Sequence, residues 1–206
     1  MAEIKNIVFD IGNVLVDWDW KSYIERRFPD NEVRDALTKI YWGYEFWREM
    51  DRGAISQETI HREILKIAGS YENEMEIAYQ NAGECLSHLE YTGPWISELK
   101  EKGYKVYYLS NYSDYLIKKR PDVLEFTKEM DGGIFSCYVK LLKPDIAIYE
   151  CLCKKYDLEP SECLFLDDKI INVVAAREYG MQALQFTGYD ETYPKVRKLL
   201  QENPIR

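Results

Sequence analysis

The chain has 206 residues, with 36 acidic against 27 basic side chains, a formal net charge of −9 and a hydrophobic fraction of 46%. That length fits one domain or a core carrying an insertion, and the hydrophobic fraction is ordinary for a globular protein. The acidic balance opposes binding to nucleic acid or to anionic membranes, which a basic surface attracts.

No apolar run approaches the roughly 20 residues a membrane-crossing helix needs. The first predicted strand begins within a few residues of Met1, which leaves no room for a signal peptide, so the expected compartment is the cytoplasm. The cysteines are Cys85, Cys137, Cys151, Cys153 and Cys163, an odd number at irregular spacing, and they read as free buried thiols. Cys151 and Cys153 would point to different faces of a helix, which is poor metal geometry. His61 and His88 are the two histidines, too few to favour a zinc site or a histidine-based triad.

Taken in chain order, Ile7, Val8 and Phe9 form a short apolar strand of the kind buried on both faces in parallel sheets. Asp10 follows at its end, where the chain turns, and Gly12 and Asn13 suit tight or positive-φ backbone. Asp10 by itself reads as a turn or capping residue, or as a functional carboxylate at the carboxyl end of a strand, where open α/β sheets bind ligands.

From 17 to 91 the apolar residues recur at helical spacing, as at Tyr23, Phe28, Val33, Leu37, Ile40, Ile60 and Ile64. The block is expected to be all-helical, with a helix start at Ser56 and an end at Gly69. Within it the segment from Tyr41 to Trp47 is densely aromatic. These rings either pack the helical block or form a platform facing a substrate.

Strand and helix alternate from residue 92. The pattern predicts helices over 92–102, 114–130 (broken at Pro121), 145–156, 170–179 and 194–202. Strands are predicted over 106–109, 134–139, 163–166 and 182–186, with Gly132 and Gly133 in a turn. The alternation implies right-handed crossovers and a parallel five-stranded sheet flanked by helices, an α/β Rossmann-like core. Residues 1–16 and 92–206 would form that core, and residues 17–91 an inserted helical domain.

Later in the chain come Leu109-Ser110-Asn111, Lys143-Pro144-Asp145 and Phe165-Leu166-Asp167-Asp168. With Asp10 they resemble, in order, the four motifs of the haloacid dehalogenase-like hydrolase superfamily: nucleophilic Asp, Ser/Thr, Lys and an acidic pair. The form Asp-x-Gly-Asn-Val with Lys-Pro-Asp and Asp-Asp is most similar to bacterial glucose-1-phosphate phosphatase-like members and to the phosphatase-like N-terminal domain of epoxide hydrolases.

The resemblance implies a phosphomonoester hydrolase acting on a small phosphorylated metabolite, such as a sugar phosphate, through an aspartyl-phosphate. It makes Asp10 the nucleophile and Ser110, Asn111 and Lys143 the phosphate-binding residues, with Ser110 and Lys143 also catalytic. It places Mg²⁺ on Asp10, the Gly12 carbonyl and Asp168, with Asp167 in support and Asn172 as a candidate to orient that shell. The helical insertion would be a cap over the site, and the protein a monomer or weak homodimer.

At Gly12 the chain departs from the pattern, because many relatives carry there a second Asp that moves protons. Its absence either selects leaving groups that depart without protonation or shifts the role elsewhere, with Asp17 and Asp19 as candidate stand-ins. The rival readings are a metal-free dehalogenase, which the acidic pair opposes, and a phospho-acceptor module, which the length and the helical insertion oppose.

Overall fold

Strand β1 (Asn6–Phe9) is buried along its whole length, as its apolar run requires of a strand paired on both sides. The computed structural model describes residues 3–42 and 44–202, without the side chains of Tyr44 and Glu202. After β1 come β2 (Val16–Trp18), then helices α1 (Trp20–Arg27), α2 (Asn31–Ile40), α3 (Tyr44–Arg52), α4 (Gln57–Ala68) and α5 (Glu72–Gln80), then β3 (Leu86–His88). The chain continues through α6 (Thr92–Glu101), β4 (Lys105–Ser110), α7 (Asp114–Lys119), β5 (Gly132–Phe135), α8 (Ser136–Val139) and α9 (Ile146–Tyr156). It closes with β6 (Cys163–Asp167), α10 (Ile170–Tyr179), β7 (Gln182–Gln185) and α11 (Tyr189–Glu202).

Five strands pair in parallel in the order β5-β4-β1-β6-β7, so β1 is central. Side chains alternate across this sheet. Ile7, Phe9, Val106, Leu164 and Leu166 face a core shared with Trp95, Ile96 and Leu99 of α6 and Val196 and Leu200 of α11. Val8, Tyr107, Leu109, Phe165 and Ala183 face the opposite core, built with Ile148, Tyr149 and Leu152 of α9 and Val173 of α10. Strands buried on both faces leave their carboxyl ends as the open edge of the sheet. That edge carries Asp10, Ser110 and Asp167.

Helices α1 to α5 have a core of their own, in which Tyr23, Leu37, Tyr41, Met50, Ile64 and Met75 are buried. Three of their starts are capped by side chains: α1 by Asp19, accepting from Ser22 N, α2 by Asp30, from Glu32 N and Val33 N, and α4 by Ser56, from Thr59 N. A further cluster that includes Ile11, Val16, Leu86, Leu116, Phe135 and Cys137 joins this block to the sheet. All five cysteines are unbonded. Among the described residues no helix is long and apolar enough to cross a membrane.

Four expectations need correction. The block from 17 to 91 is not all helical, since β2 and β3 pair antiparallel at its two ends, Trp18 opposite Leu86. That pairing joins residues about seventy positions apart, which no local periodicity reveals. Gly132 and Gly133 begin β5 and form no turn. A Cβ on Gly133 would lie 2.4 Å from the Tyr108 ring, so this glycine admits a close-packed ring. The strand predicted over 134–139 stops at Phe135, and the chain enters α8, which closes at Lys140 with φ of 61°. The last helix starts at Tyr189, five residues before Pro194, because Thr192 N bonds back to Gly188 O and the Thr192 hydroxyl accepts from Thr187 N.

Candidate active site

Asp10 sits just past the end of the central strand, its N–H donating to Leu166 O on β6 at 2.8 Å. One carboxylate oxygen, Oδ1, accepts from Ile11 N at 2.7 Å and Ser110 Oγ at 2.7 Å, and lies 2.8 Å from Lys143 Nζ. No described residue donates to the other oxygen, Oδ2. Burial pushes the Asp10 carboxyl up to about 6; Lys143 opposes that shift, and the charges of Asp167 and Asp168 add to it.

Lys143 is buried and uses its three protons on Asp10, on Asp167 Oδ2 at 2.7 Å and on Leu109 O at 2.8 Å. Burial works against its charge, but the carboxylates of Asp10 and Asp167 outweigh it and hold the ammonium above the usual lysine range. The loop that delivers it is clamped by Asn111, whose Nδ2 donates to Lys143 O at 3.0 Å while its Oδ1 accepts from Lys143 N at 2.8 Å. The Asn111 side chain thus positions Lys143 with one of its two N–H groups and also lines the cavity.

The two adjacent aspartates differ in their surroundings. Asp167 is fully buried and saturated: Lys143 and Asn172 Nδ2 reach its carboxylate, the latter touching both oxygens at 3.0 Å, and Lys169 N donates at 2.8 Å. Asp168 is only partly buried and accepts one long bond, from Asn13 Nδ2 at 3.3 Å. Burial, then the neighbouring Asp167, raise its carboxyl above the ordinary range. Asn13 holds the left-handed backbone its residue type favours, with φ of 58°.

Oxygens of Asp10, Asp167 and Asp168 come within 4.8 Å of one another. An all-oxygen set without histidine or cysteine fits a small hard divalent cation such as Mg²⁺, which takes one or two carboxylates and keeps several waters. Asp168, with its spare oxygens, is the free carboxylate of the set, and Asp10 Oδ2 carries no donor among the described residues. Gly12 borders the same space, and its carbonyl is the third oxygen the sequence pointed to.

A cavity opens over these groups. Asp10, Gly12, Asn13, Lys143 and Asp168 line its core side, and Trp18, Trp47 and Asp51 line the other. An adjoining cavity shares several lining residues with it, Lys169 among them, and adds Trp20, Trp42, Arg48 and Ile171. Trp18 stacks on Trp47 at 5.1 Å, Trp20 on Trp42 at 5.7 Å, and Trp42 on Trp47 at 6.4 Å. The aromatic segment thus divides: Tyr41 is fully buried packing, whereas Trp42 and Trp47 pack and also border a cavity. The Tyr44 side chain lies outside the described residues.

Asp17 and Asp19 do not reach this space. Asp17 accepts from Ser87 Oγ at 3.2 Å, and Asp19 caps α1 by accepting from Ser22 N at 3.0 Å. The acid that does reach it, and that sequence reasoning missed, is Asp51, near the C-terminal end of α3. It lies four positions after Trp47, on the same helix face. Burial pushes its carboxyl up to about 7, which Lys169 opposes, Asp10 reinforces and Lys143 opposes.

The chain belongs to the haloacid dehalogenase-like hydrolase family, whose model matches residues 4–180. It is 28% identical to the sesquiterpene phosphatase astK of Aspergillus oryzae over 95% of this chain and 96% of that protein. It is also 28% identical to a D-ribitol-5-phosphate phosphatase of Bacteroides thetaiotaomicron, over 88% of this chain and 91% of that protein. The fold superposes with a TM-score of 0.71 on a HAD family enzyme from Bacteroides thetaiotaomicron crystallised with magnesium and inorganic phosphate, at 20% identity over 92% of this chain and 99% of that one.

Proposed function

We propose that this hydrolase is a Mg²⁺-dependent phosphomonoesterase for small organic phosphates, with Asp10 as nucleophile and α1 to α5 as a cap that selects the substrate. The observation that carries the reading is the state of Asp10. One of its oxygens is held by three donors, and the other is left free beside an incompletely bonded second carboxylate.

Ile11 N, Ser110 and Lys143 fix the carboxylate plane, so that Oδ2 meets phosphorus without a search over rotamers. Attack forms an aspartyl-phosphate and releases the alcohol; water then attacks phosphorus and frees Asp10 and inorganic phosphate. Lys143 offsets the negative charge at Asp10 and Asp167 and supplies a fixed positive field for the phosphoryl group. Asn111 keeps that lysine in place, and Asn172 and Lys169 N hold Asp167. Mg²⁺, held by Asp10, Asp168 and the Gly12 carbonyl, would supply the charge neutralisation that lets a phosphate dianion approach these carboxylates.

The cavity mixes polar groups with stacked indoles, which suits a sugar or polyol phosphate: its hydroxyls find Asn13, Arg48 and Lys169, and its C–H faces lie on Trp47. The tryptophan wall formed by Trp18, Trp20, Trp42 and Trp47 supports a second reading, a phosphate ester with an extended apolar group. The test is a panel of sugar, polyol and terpenoid phosphates, assayed with Mg²⁺ and with EDTA. Turnover that needs Mg²⁺ is expected, and the preferred ester chooses between the readings. Equal activity in EDTA with release of halide from a 2-haloacid would overturn the phosphatase assignment in favour of dehalogenase chemistry.

A further inference from the structure

We infer that Asp51, carried on the helical block, is the catalytic acid and base of this site and takes the role left open by Gly12. The inference rests on the phosphatase reading above.

Three observations converge. At Gly12 the side of the cavity is open, since a Cβ built there would meet nothing within 4 Å, and its backbone is not in the left-handed region. A proton donor on that side is therefore missing, though nothing steric excludes one. Across the cavity that contains Asp10, Asp51 presents a carboxyl to which no described residue hydrogen-bonds. An acid spent on an ion pair or a cap, as Asp19 is, could not exchange a proton so readily.

The third observation is rigidity. Ser136 Oγ donates to Asp51 O at 2.6 Å while accepting from Tyr112 N at 2.9 Å, which ties the end of α3 to the loop after β4. Lys140 Nζ also donates to Gly53 O. Gly53 has φ of 63°, and a Cβ there would lie 2.9 Å from Cys137 O, so the turn after Asp51 is seated directly on α8. Asp51 is thus fixed to the sheet although it belongs to the insertion, and proton transfer needs that fixed geometry.

The proton inventory closes. As Asp10 Oδ2 bonds to phosphorus and the ester P–O bond breaks, the Asp51 carboxyl gives its proton to the departing oxygen and the alcohol leaves. The resulting carboxylate takes a proton from the water that attacks the aspartyl-phosphate. This step regenerates the Asp51 carboxyl and frees Asp10 and inorganic phosphate.

A general acid matters most where the leaving oxygen is strongly basic. Wild type and Asp51→Asn are therefore compared in Mg²⁺ on an aryl phosphate (4-nitrophenyl phosphate) and an alkyl phosphate (glycerol phosphate), with kcat/KM followed from pH 5 to 9. The variant is expected to lose ~10²-fold or more on the alkyl ester and less than ~10-fold on the aryl ester, with the basic limb of the alkyl profile gone. The retained aryl turnover shows that the variant folds, and Asp51→Ser should show the same contrast. Adding Gly12→Asp to Asp51→Asn should recover ~10-fold or more on the alkyl ester only. Equal losses on both esters, or a rise in KM alone, would overturn the role of Asp51 while leaving the phosphatase reading intact. Failure of wild type to hydrolyse either ester in Mg²⁺ would overturn both.

Discussion

The carboxyl edge of the sheet and the helical block α1 to α5 meet across one cavity but are built in different ways. On the sheet side each functional group sits at a strand end or in the loop after it, and nearly every polar atom is committed to a neighbour. Asp167 makes hydrogen bonds to Asn172 and to the Lys169 amide and an ion pair with Lys143, and Lys143 has no proton to spare. On the helical side the cavity is walled by stacked indoles and one acid without a hydrogen bond. A saturated network fixes one geometry and serves one reaction. Aromatic walls impose shape without directional bonds and are free to vary with the substrate.

The largest expected effect breaks the sheet side at its centre. Asp10→Asn should lower turnover by at least ~10³-fold on every ester, the scale seen when a nucleophile is removed. It should leave far-UV circular dichroism unchanged, because Ser110, Ile11 N and Lys143 keep an oxygen partner. Phosphoenzyme formation, read by acid quench and mass spectrometry, should vanish in the same variant.

The two adjacent aspartates should then fail in different ways. Asp167→Ala strips a buried lysine of one of its two carboxylates and orphans the Asn172 amide, so about 3–5 kcal/mol of stability should be lost, measured by urea unfolding. Asp168→Ala removes a partly buried carboxylate with one long hydrogen bond and should cost under about 1 kcal/mol. Its loss should appear as a weaker apparent affinity for Mg²⁺ in activity titrations. If both variants unfolded alike, Asp168 would be structural and the metal assignment would fall.

On the helical side the effects should be smaller and dependent on substrate. Trp47→Leu should raise KM by roughly 10-fold for an ester that reaches the indole wall, within the 1–3 kcal/mol that a large apolar contact supplies. Acetyl phosphate, too short to reach the wall, should keep its KM. Equal shifts for both would mean that Trp47 acts only by packing against Trp18, Tyr41 and Trp42.

The same contrast explains what could be read from the sequence. Asp10, Ser110 and Asp167 each end an apolar strand, so local pattern and chain order suffice to place them at one edge of a parallel sheet. Lys143 was legible only through its place in that order. That Asn111 holds Lys143, and that Asp167 is saturated while Asp168 is not, depends on contacts between loops. Asp51 was illegible for a stronger reason: it lies in a helix start-to-end pattern like any surface acid, and only the docking of α3 on α8, through Ser136 and Gly53, turns it into the cavity. The β2–β3 pair was missed because three-residue strands carry too few residues to show a period.

The last expected effect concerns stability and tests whether Asp51 is a buried acid. An unfolded aspartate titrates near pH ~3.9. In the folded protein burial raises the Asp51 carboxyl to about 7, Lys169 and Lys143 restraining the shift and Asp10 adding to it. The folded chain therefore holds this proton more tightly than the unfolded chain does. Its contribution favours folding below about pH 4 and is lost progressively as pH rises through 7, where the charge must be carried in a confined site. An asparagine never ionises, so Asp51→Asn escapes this loss. In EDTA the variant should melt with the wild type at pH 4 and above it at pH 8. After discounting for solvent screening the gap should be about 1–2 kcal/mol, at roughly 2–4 °C per kcal/mol for a chain of this size. Asp168 shifts in the same sense in both proteins, and Asp10 does too but is coupled electrostatically to Asp51, so the difference reads Asp51 together with that coupling. A gap that is constant from pH 4 to 8, measured by calorimetry, would show that Asp51 titrates like an exposed carboxylate.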